Sequence, residues 1–320
     1  MEHTISRLCI FAHYDRDNTV DDYVYFYLGK LKRVCRRIIF VTTSVLDEVV
    51  KTRLKTCCDS IITRKNQGYD FMSWRVGLDS ESLEGYDEIL LCNDSVYGPL
   101  FPLEEVFSSM SEKPCDFWGI TESHQISYHL QSYFLVLRKP VILSSVFQTF
   151  WGGITIQKSK AALIRTYEVG LSKVLLRAGF KAGVYAGYSP PPLKRLALII
   201  HLCRSRMGRM MVSKTEAKPD SGEGLAHTAL PVFPPQACEK VKSVLKGKNF
   251  NIAHQFWKEL IVRRRMPFLK VELLRDNPIK VNISGFEKVI ASCSDYNIGY
   301  IKSHLKRMKK KIVVPDNRFG

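Results

Sequence analysis

No stretch of this 320-residue chain holds the ~18 or more consecutive apolar residues that a membrane-spanning helix needs. Leu193 to Cys203, apolar but interrupted by Lys194 and Arg195, covers only about half a span. The first residues carry no basic segment leading into a long apolar one, so export through a leader is not expected. None of the nine cysteines forms a CxxC pair, and the adjacent Cys57 and Cys58 suit neither a single bridge nor a zinc site. Buried, reduced thiols in a cytosolic protein account for them simply. GxGxxG is missing after the first strand, where the turn reads His13-Tyr14-Asp15-Arg16-Asp17-Asn18, and this argues against NAD or FAD. Acid is scarce: 31 acidic residues face 48 basic ones, a net charge of +17. That excess suits nucleic acid, anionic lipid or a polyanionic substrate. No zinc finger, RRM signature or helix-turn-helix accompanies it, so a specific nucleic-acid partner is not expected.

What is present is a core. Hydrophobic residues make up 45% and aromatics 11% of the chain, the composition of a globular protein. The length implies one large or two unequal domains. Apolar strand runs at Arg7–Ala12, Ile38–Thr42, Ile61–Thr63 and Glu88–Cys92 alternate with helical spacing at Val20–Arg37, Leu46–Cys57 and Phe71–Leu78. This βαβαβαβ order predicts a doubly wound, mostly parallel sheet flanked by helices. Strand, helix, strand at 61–92 predicts a parallel pair joined by a right-handed crossover. Ligands of open α/β sheets bind at the carboxyl edge, where the turn Arg64, Lys65, Asn66, Gly68 and the acid of Asn93-Asp94-Ser95 would converge. A cationic, glycine-containing turn beside an acid suits a phosphorylated ligand with a divalent ion. Arg64 and Lys65 equally read as solvated loop charges, and Asp94 as a cap of the next turn.

Beyond Pro102, Asp116–Ser123 and His129–Arg138 read as strands, Ala161–Gly179 as a long helix bearing Glu168, and Gly179–Tyr185 as a last strand. GYDFMSWRVGL, LLCNDSVYGPL, DFWGITES, HLQSYFLVLRK and PFLKVELLRDNP follow one another in an order that resembles the rhamnan synthesis protein F family. The order of Arg64, Asn66 and Gly68 after strand three, the acid after strand four and the glutamate-bearing helix looks like a GT-A-type nucleotide-sugar glycosyltransferase. The resemblance covers about Arg7 to Pro278 and implies a GT-A-like, Rossmann-type α/β fold with a helical C-terminal extension. Members are associated with rhamnose-containing bacterial surface polysaccharides.

The resemblance also implies roles. A nucleotide-diphosphate donor would be contacted by His13, Tyr14, Arg64, Asn66, Gly68, Asp70, Asn93, Asp94, Ser95, His129, Gln131 and Lys270. Asp94 matches the metal-binding aspartate of an Asp-x-Asp motif, although Asn93 and Ser95 flank it here, which leaves the requirement for Mg²⁺ or Mn²⁺ open. His254 occupies a late position from which some such enzymes bring a histidine to the metal. Glu168 resembles the base that activates the acceptor in inverting members; Asp116 and Glu122 compete with it, Asp116 being preferred of the two. Glu168 also reads as a solvated helix acid, and Asp116 as a turn residue.

Composition shifts at Ser189 and its three following prolines, which stop the preceding fold. The division expected is 1–188 for the nucleotide-sugar-binding and catalytic domain, 189–236 for a Pro-rich, basic connector and mobile loop, and 237–320 for the helical extension. The last helix sets Ile298, Ile301, Leu305 and Met308 in one stripe, with Lys302, Lys306, Arg307 and Lys309 to Lys311 around it. A basic amphipathic helix of this kind suits an anionic membrane surface, and an ordinary packed helix with a basic tail suits the same pattern. The reading is an inverting glycosyltransferase, peripheral on the cytoplasmic face of the membrane, moving a deoxyhexose to a lipid-linked or growing glycan of rhamnan or O-antigen type. A catalytically degenerate, sugar-nucleotide-binding scaffold is the alternative, with a basic nucleic-acid-binding protein behind it.

Overall fold

The structure is a computed structural model that describes residues 5–157, 159–189 and 251–309. The apolar stretch 193–203, the polar segment 214–228 and the helical pattern at 238–245 lie outside the described residues. The chain divides into two compact units, 1–187 with 251–320 and 188–250; the first carries everything that follows.

Its centre is a seven-stranded sheet. The strands in chain order are β1 (Arg7–His13), β2 (Arg37–Thr42), β3 (Ser60–Thr63), β4 (Glu88–Asn93), β5 (Val96–Tyr97), β6 (Phe117–Gly119), β7 (Glu122–Ser123), β8 (His129–Leu130), β9 (Phe134–Arg138), β10 (Ala182–Val184) and β11 (Leu269–Lys270). The main sheet runs β10-β6-β9-β4-β1-β2-β3. All its pairings are parallel except those of β9, which is antiparallel to both β4 and β6. The expected α/β class with a mostly parallel sheet flanked by helices is borne out. Every residue of β1 and β4 is buried, as central strands covered on both faces must be.

Two expectations about strand pairing change. β3 and β4 are parallel but not neighbours: β2 and β1 lie between them, which sets their tips roughly 14 Å apart at the usual inter-strand spacing. The strand expected over 129–138 is two, because β8 leaves the main sheet to form a hairpin with β7 and only β9 stays in it.

The crossover from β3 to β4 runs through a helix over Tyr69–Asp79. It packs so close to β1 that a Cβ added at Gly77 would lie 2.4 Å from Ile10 Cγ2, and the Trp74 indole N–H donates to the Cys92 carbonyl at 3.0 Å. This helix therefore spans the gap that the strand order opens, carrying the chain from the carboxyl end of β3 back to the amino end of β4.

β5 continues from the β4 tip and pairs antiparallel with β11, Lys270 opposite Val96, while the Val271 N–H donates to the Ser95 carbonyl at 2.9 Å. The segment 269–271 is thus built into the carboxyl edge of the sheet. The last described helix, Ile298–Lys309, packs on the helix Asp22–Leu31. Ile301 and His304 are its buried residues, with Leu305 and Met308 half-buried. Its apolar side is covered by protein, and Arg307, grouped with the basic face in the sequence, turns inward. Among the described residues no helix is long and apolar enough to cross a membrane.

Candidate active site

The tips of β1 and β4 are tied together. Asp94, one residue past β4, accepts the Tyr14 backbone N–H at 3.1 Å, and its own carbonyl accepts the Tyr23 hydroxyl at 2.9 Å. His13, the last residue of β1, shares a hydrogen bond between Nδ1 and Thr42 Oγ1 at 2.9 Å and holds Nε2 3.8 Å from Asp94 Oδ2. Burial lowers the imidazole to about 4, so it is neutral near pH 7. Tyr14 itself stands 52% exposed.

The turn after β3 reaches this point through Asp70 rather than through its cations. Asn93 Nδ2 donates to Asp70 Oδ2 at 2.8 Å, and Asn93 Oδ1 accepts both the backbone N–H and the hydroxyl of Ser95, at 3.1 and 2.6 Å. Arg64 spends its donors inside its own turn: Nε to Ser73 Oγ at 2.9 Å, the two terminal nitrogens to the carbonyls of Lys65, Gln67 and Tyr69. The guanidinium thus shapes the turn in which Gly68 and Tyr69 both take positive φ, 78° and 53°. Lys65 and Asn66 are exposed on the outside of that turn.

Burial, then the neighbouring Asp70 charge, pushes the Asp94 carboxyl well above the usual carboxylate range, against the Tyr14 N–H, which favours the anion. Its side chain remains 18% exposed. Two carboxylates in mutual repulsion at an accessible edge fit a divalent ion, which would relieve both. Among the described residues no group of three or more His, Cys, Asp or Glu side chains is placed to hold a metal. Asp94 and Asp70 are the side chains at this edge that could hold such an ion. His254, buried, stands 4.0 Å from Glu272 Oε2.

Glu168 belongs to the same edge. Its Oε1 accepts the Ser132 backbone N–H at 2.9 Å. β4 and β9 pair antiparallel with Cys92 opposite Phe134, so Ser132, two residues before Phe134, lies at the amino end of β9, the end beside the tip of β4. The long helix expected over 161–179 is interrupted by a π-helical turn, Ile164–Glu168, where the buried Tyr167 ring packs against Phe71 and Phe150 and its hydroxyl accepts the Thr155 N–H at 2.6 Å. Such widened turns are frequent at functional sites. Lys270 approaches from β11 with its ammonium 5.0 Å from the Tyr133 ring centre, one residue from Ser132.

The remaining expected residues take other positions. Gln131 is buried and its Oε1 accepts the Thr121 hydroxyl at 2.7 Å. His129, buried in β8, donates from Nδ1 to the Ser127 carbonyl at 2.8 Å. Asp116 precedes β6, and because β6 is parallel to β4 through their common partner β9, it lies at the amino edge, opposite to Asp94. There it accepts the Lys181 N–H at 2.7 Å beside the Arg7–Glu88–Arg138 ion pairs. The structure does not bring Asp116 to the cleft. Glu122, in β7, lies past the carboxyl end of β6.

Sequence reasoning missed Asp15, Asp17, Asp21, Tyr23 and Arg307. Arg307, from the last described helix, bonds to Asp15 Oδ2 at 2.6 Å, to Asp17 Oδ2 at 2.9 Å and to Asp21. The acid-rich turn directly after β1 was the available signal.

Residues 38–190 match the family model described as Rhamnan synthesis protein F, so the resemblance read in the sequence is borne out over β2 to β10. The virulence protein VirA of Vibrio anguillarum is 26% identical over 315 residues, 93% of this chain and 90% of that one. The uncharacterized protein y4gN of Sinorhizobium fredii is 30% identical over 160 residues, 48% of this chain and 41% of that one. Among solved structures, the catalytic domain of Drosophila beta1,4-galactosyltransferase 7 with xylobiose has a TM-score of 0.35 at 12% identity, covering 56% of this chain and 65% of that one. The inositol-1-phosphate CTP transferase of T. maritima has a TM-score of 0.35 at 12% identity, covering 57% and 86%.

Proposed function

We propose that this chain, which carries the rhamnan synthesis protein F signature over residues 38–190, is an inverting glycosyltransferase. In this reading it moves a deoxyhexose such as rhamnose from a nucleotide diphosphate to a lipid-linked or growing surface polysaccharide. The observation that carries the reading is the edge itself: Asp94 just past β4 and Asp70 at the start of its crossover helix, with Glu168 bonded to Ser132 at the amino end of β9, which pairs with the tip of β4.

Transfer asks three things of such an edge. The donor's diphosphate must be held while charge grows on it, which is where preorganised electrostatics contribute most. Asp94, with Asp70, would hold a Mg²⁺ or Mn²⁺ ion, whose positive charge offsets that of the leaving diphosphate. Lys270 stands on the strand beside Ser95 and adds a cation on the same side. The acceptor hydroxyl must lose its proton as its oxygen attacks the anomeric carbon; Glu168 takes that proton. The new glycosidic bond forms as the anomeric carbon–phosphate oxygen bond breaks, the nucleoside diphosphate leaves with the bonding pair, and the anomeric configuration inverts. Lys302 and Lys306, exposed on the last described helix, suit a peripheral contact with anionic lipid that would bring the enzyme to a lipid-linked acceptor.

The test is incubation with a panel of nucleotide-diphosphate sugars, with and without Mg²⁺ or Mn²⁺, followed by analysis of the released nucleotide and of melting temperature. Selective release and stabilisation by one donor support the reading. A panel that neither stabilises the protein nor is turned over would end it.

A further inference from the structure

Arg307, 292 positions from Asp15 in the chain, reaches a loop that the candidate site depends on. The β1 tip continues into Tyr14–Asp21, whose first residue supplies the N–H bound by Asp94. That loop is wound around Asp15: Asp15 Oδ1 accepts the N–H groups of Asp17 and Thr19 at 2.8 and 3.2 Å. Its own N–H and carbonyl are both bonded to the Ser44 hydroxyl, at 2.9 and 3.0 Å. Two cations answer this loop: its own Arg16, which reaches only Asp17, at 3.9 Å, and Arg307, which binds all three carboxylates. Arg307 Nη1 and Nη2 contact Asp15, Asp17 and Asp21, and Nε donates to Asp21 Oδ1 at 3.1 Å. The three carboxylates are only 10%, 14% and 15% exposed, so water screens them weakly and their repulsion is correspondingly strong. Three positions back along the same helix, His304 Nδ1 meets the Tyr97 hydroxyl at 2.7 Å, fastening the helix to β5 just beyond Asp94 and Ser95.

Asp15, Asp17 and Asp21 lie on the loop that leaves the β1 tip, which is bonded to Asp94; with Asp94 and Asp70 they bring five carboxylates to this edge, of which Arg16 answers only Asp17. An anionic ligand arriving there would meet a strongly negative field unless the loop carried its own counter-charge. Multidentate arginine supplies that charge and fixes geometry at the same time, which a lysine point charge does not.

We propose that Arg307 is a positioning residue of the candidate site, holding the Tyr14–Asp21 loop in place and cancelling its charge so that the edge accepts an anionic nucleotide diphosphate. The proposal rests on the functional reading above in one respect only, the identity of the ligand class. It gives the last described helix a task at the donor site, distinct from any contact with lipid.

The experiment measures binding of UDP, GDP and dTDP, with Mg²⁺, by titration calorimetry at two salt concentrations. Wild-type protein that binds none of them refutes the functional reading and leaves Arg307 without a ligand to position. Where wild type binds, Arg307→Gln is expected to weaken affinity at least tenfold, and the loss should shrink as salt rises. Adding Asp17→Asn and Asp21→Asn to that variant should recover most of the affinity, a rescue that a merely structural role would not produce. Unchanged affinity in Arg307→Gln, or no recovery in the combined variant, overturns the inference. If Arg307→Gln does not fold, Arg307→Lys replaces it: a loss of threefold or more supports the proposal, and wild-type affinity overturns it.

Discussion

The Asp94 carboxylate accepts the Tyr14 backbone N–H at 3.1 Å, so the tips of two adjacent parallel strands are joined by a bond that needs an acceptor oxygen but not a charge. This separates what Asp94 does for the fold from what it does for a ligand. An asparagine keeps the oxygen and removes the charge.

Asp94→Asn should therefore stabilise the unliganded protein. The folded carboxyl titrates above its unfolded value because of burial and then the Asp70 charge. Its protonated form contributes stability that is fully present below the unfolded value of about 3.9 and is lost as pH rises through the folded value. The variant escapes that loss. A gain of about 2–4 °C in melting temperature is expected at pH 8, with a smaller gain at pH 5, while stabilisation by Mg²⁺ plus nucleotide diphosphate disappears. Lower stability at pH 8, or retained ligand stabilisation, would remove Asp94 from the ion-holding role.

Glu168→Gln tests the other side of the cleft. Glutamine Oε1 still accepts the Ser132 N–H now bound at 2.9 Å, so strand end and donor site should stay in place. Loss of a positioned base costs about 10²–10⁴-fold in rate. Transfer should fall by that amount with donor affinity within twofold of wild type. Normal transfer rates would move the base to Glu122, the remaining candidate beyond the carboxyl end of β6.

How far the sequence reaches is visible in these same residues. β1, β2 and β4 are legible because fully covered parallel strands read as unbroken apolar runs. Strand order is not: a strand–helix–strand repeat reads the same whether its strands are neighbours or, like β3 and β4, have two other strands between them. Nor does FLVLR announce that β9 runs antiparallel. Arg64 carries the charge a phosphate site wants, but its hydrogen bonds go to the turn's own carbonyls, a local competition that composition does not record. Arg307 and Asp15 are 292 positions apart, and no local pattern marks such a pair.

His13 makes the protein acid-sensitive in a defined window. Its folded value near 4 lies below the ordinary 6.5 because burial disfavours the imidazolium. Between those values the unfolded chain takes up a proton that the folded protein refuses, so stability falls as pH drops from 6.5 toward 4. At pH 5 the cost is about 2 kcal/mol. His13→Asn, which can still bond Thr42 Oγ1, should lose less stability than wild type between pH 7.5 and pH 5 by about that amount in urea unfolding. Parallel losses in the two proteins would show that other groups set the acid limb.

The turn after β3 distinguishes a staple from a phosphate ligand. Arg64 bonds three carbonyls and Ser73, and it encloses Gly68, where an added Cβ would stand 2.9 Å from Met72 Cβ at a φ of 78°. Gly68→Ala should cost about 1–2 kcal/mol through the left-handed backbone and that contact. Arg64→Ala should cost a similar amount by leaving turn carbonyls without their donor. In both variants Asp70, which opens the crossover helix, loses its seat against Asn93, so nucleotide affinity should fall in step with faster hydrogen exchange at residues 68–72. An arginine that bound the diphosphate directly would behave differently: its alanine variant would lose affinity and salt dependence while exchange in the turn and stability stayed at wild-type values. Because Gly68→Ala leaves the Arg64 charge in place, matched effects in the two variants assign the loss to the shape of the turn rather than to a missing cation.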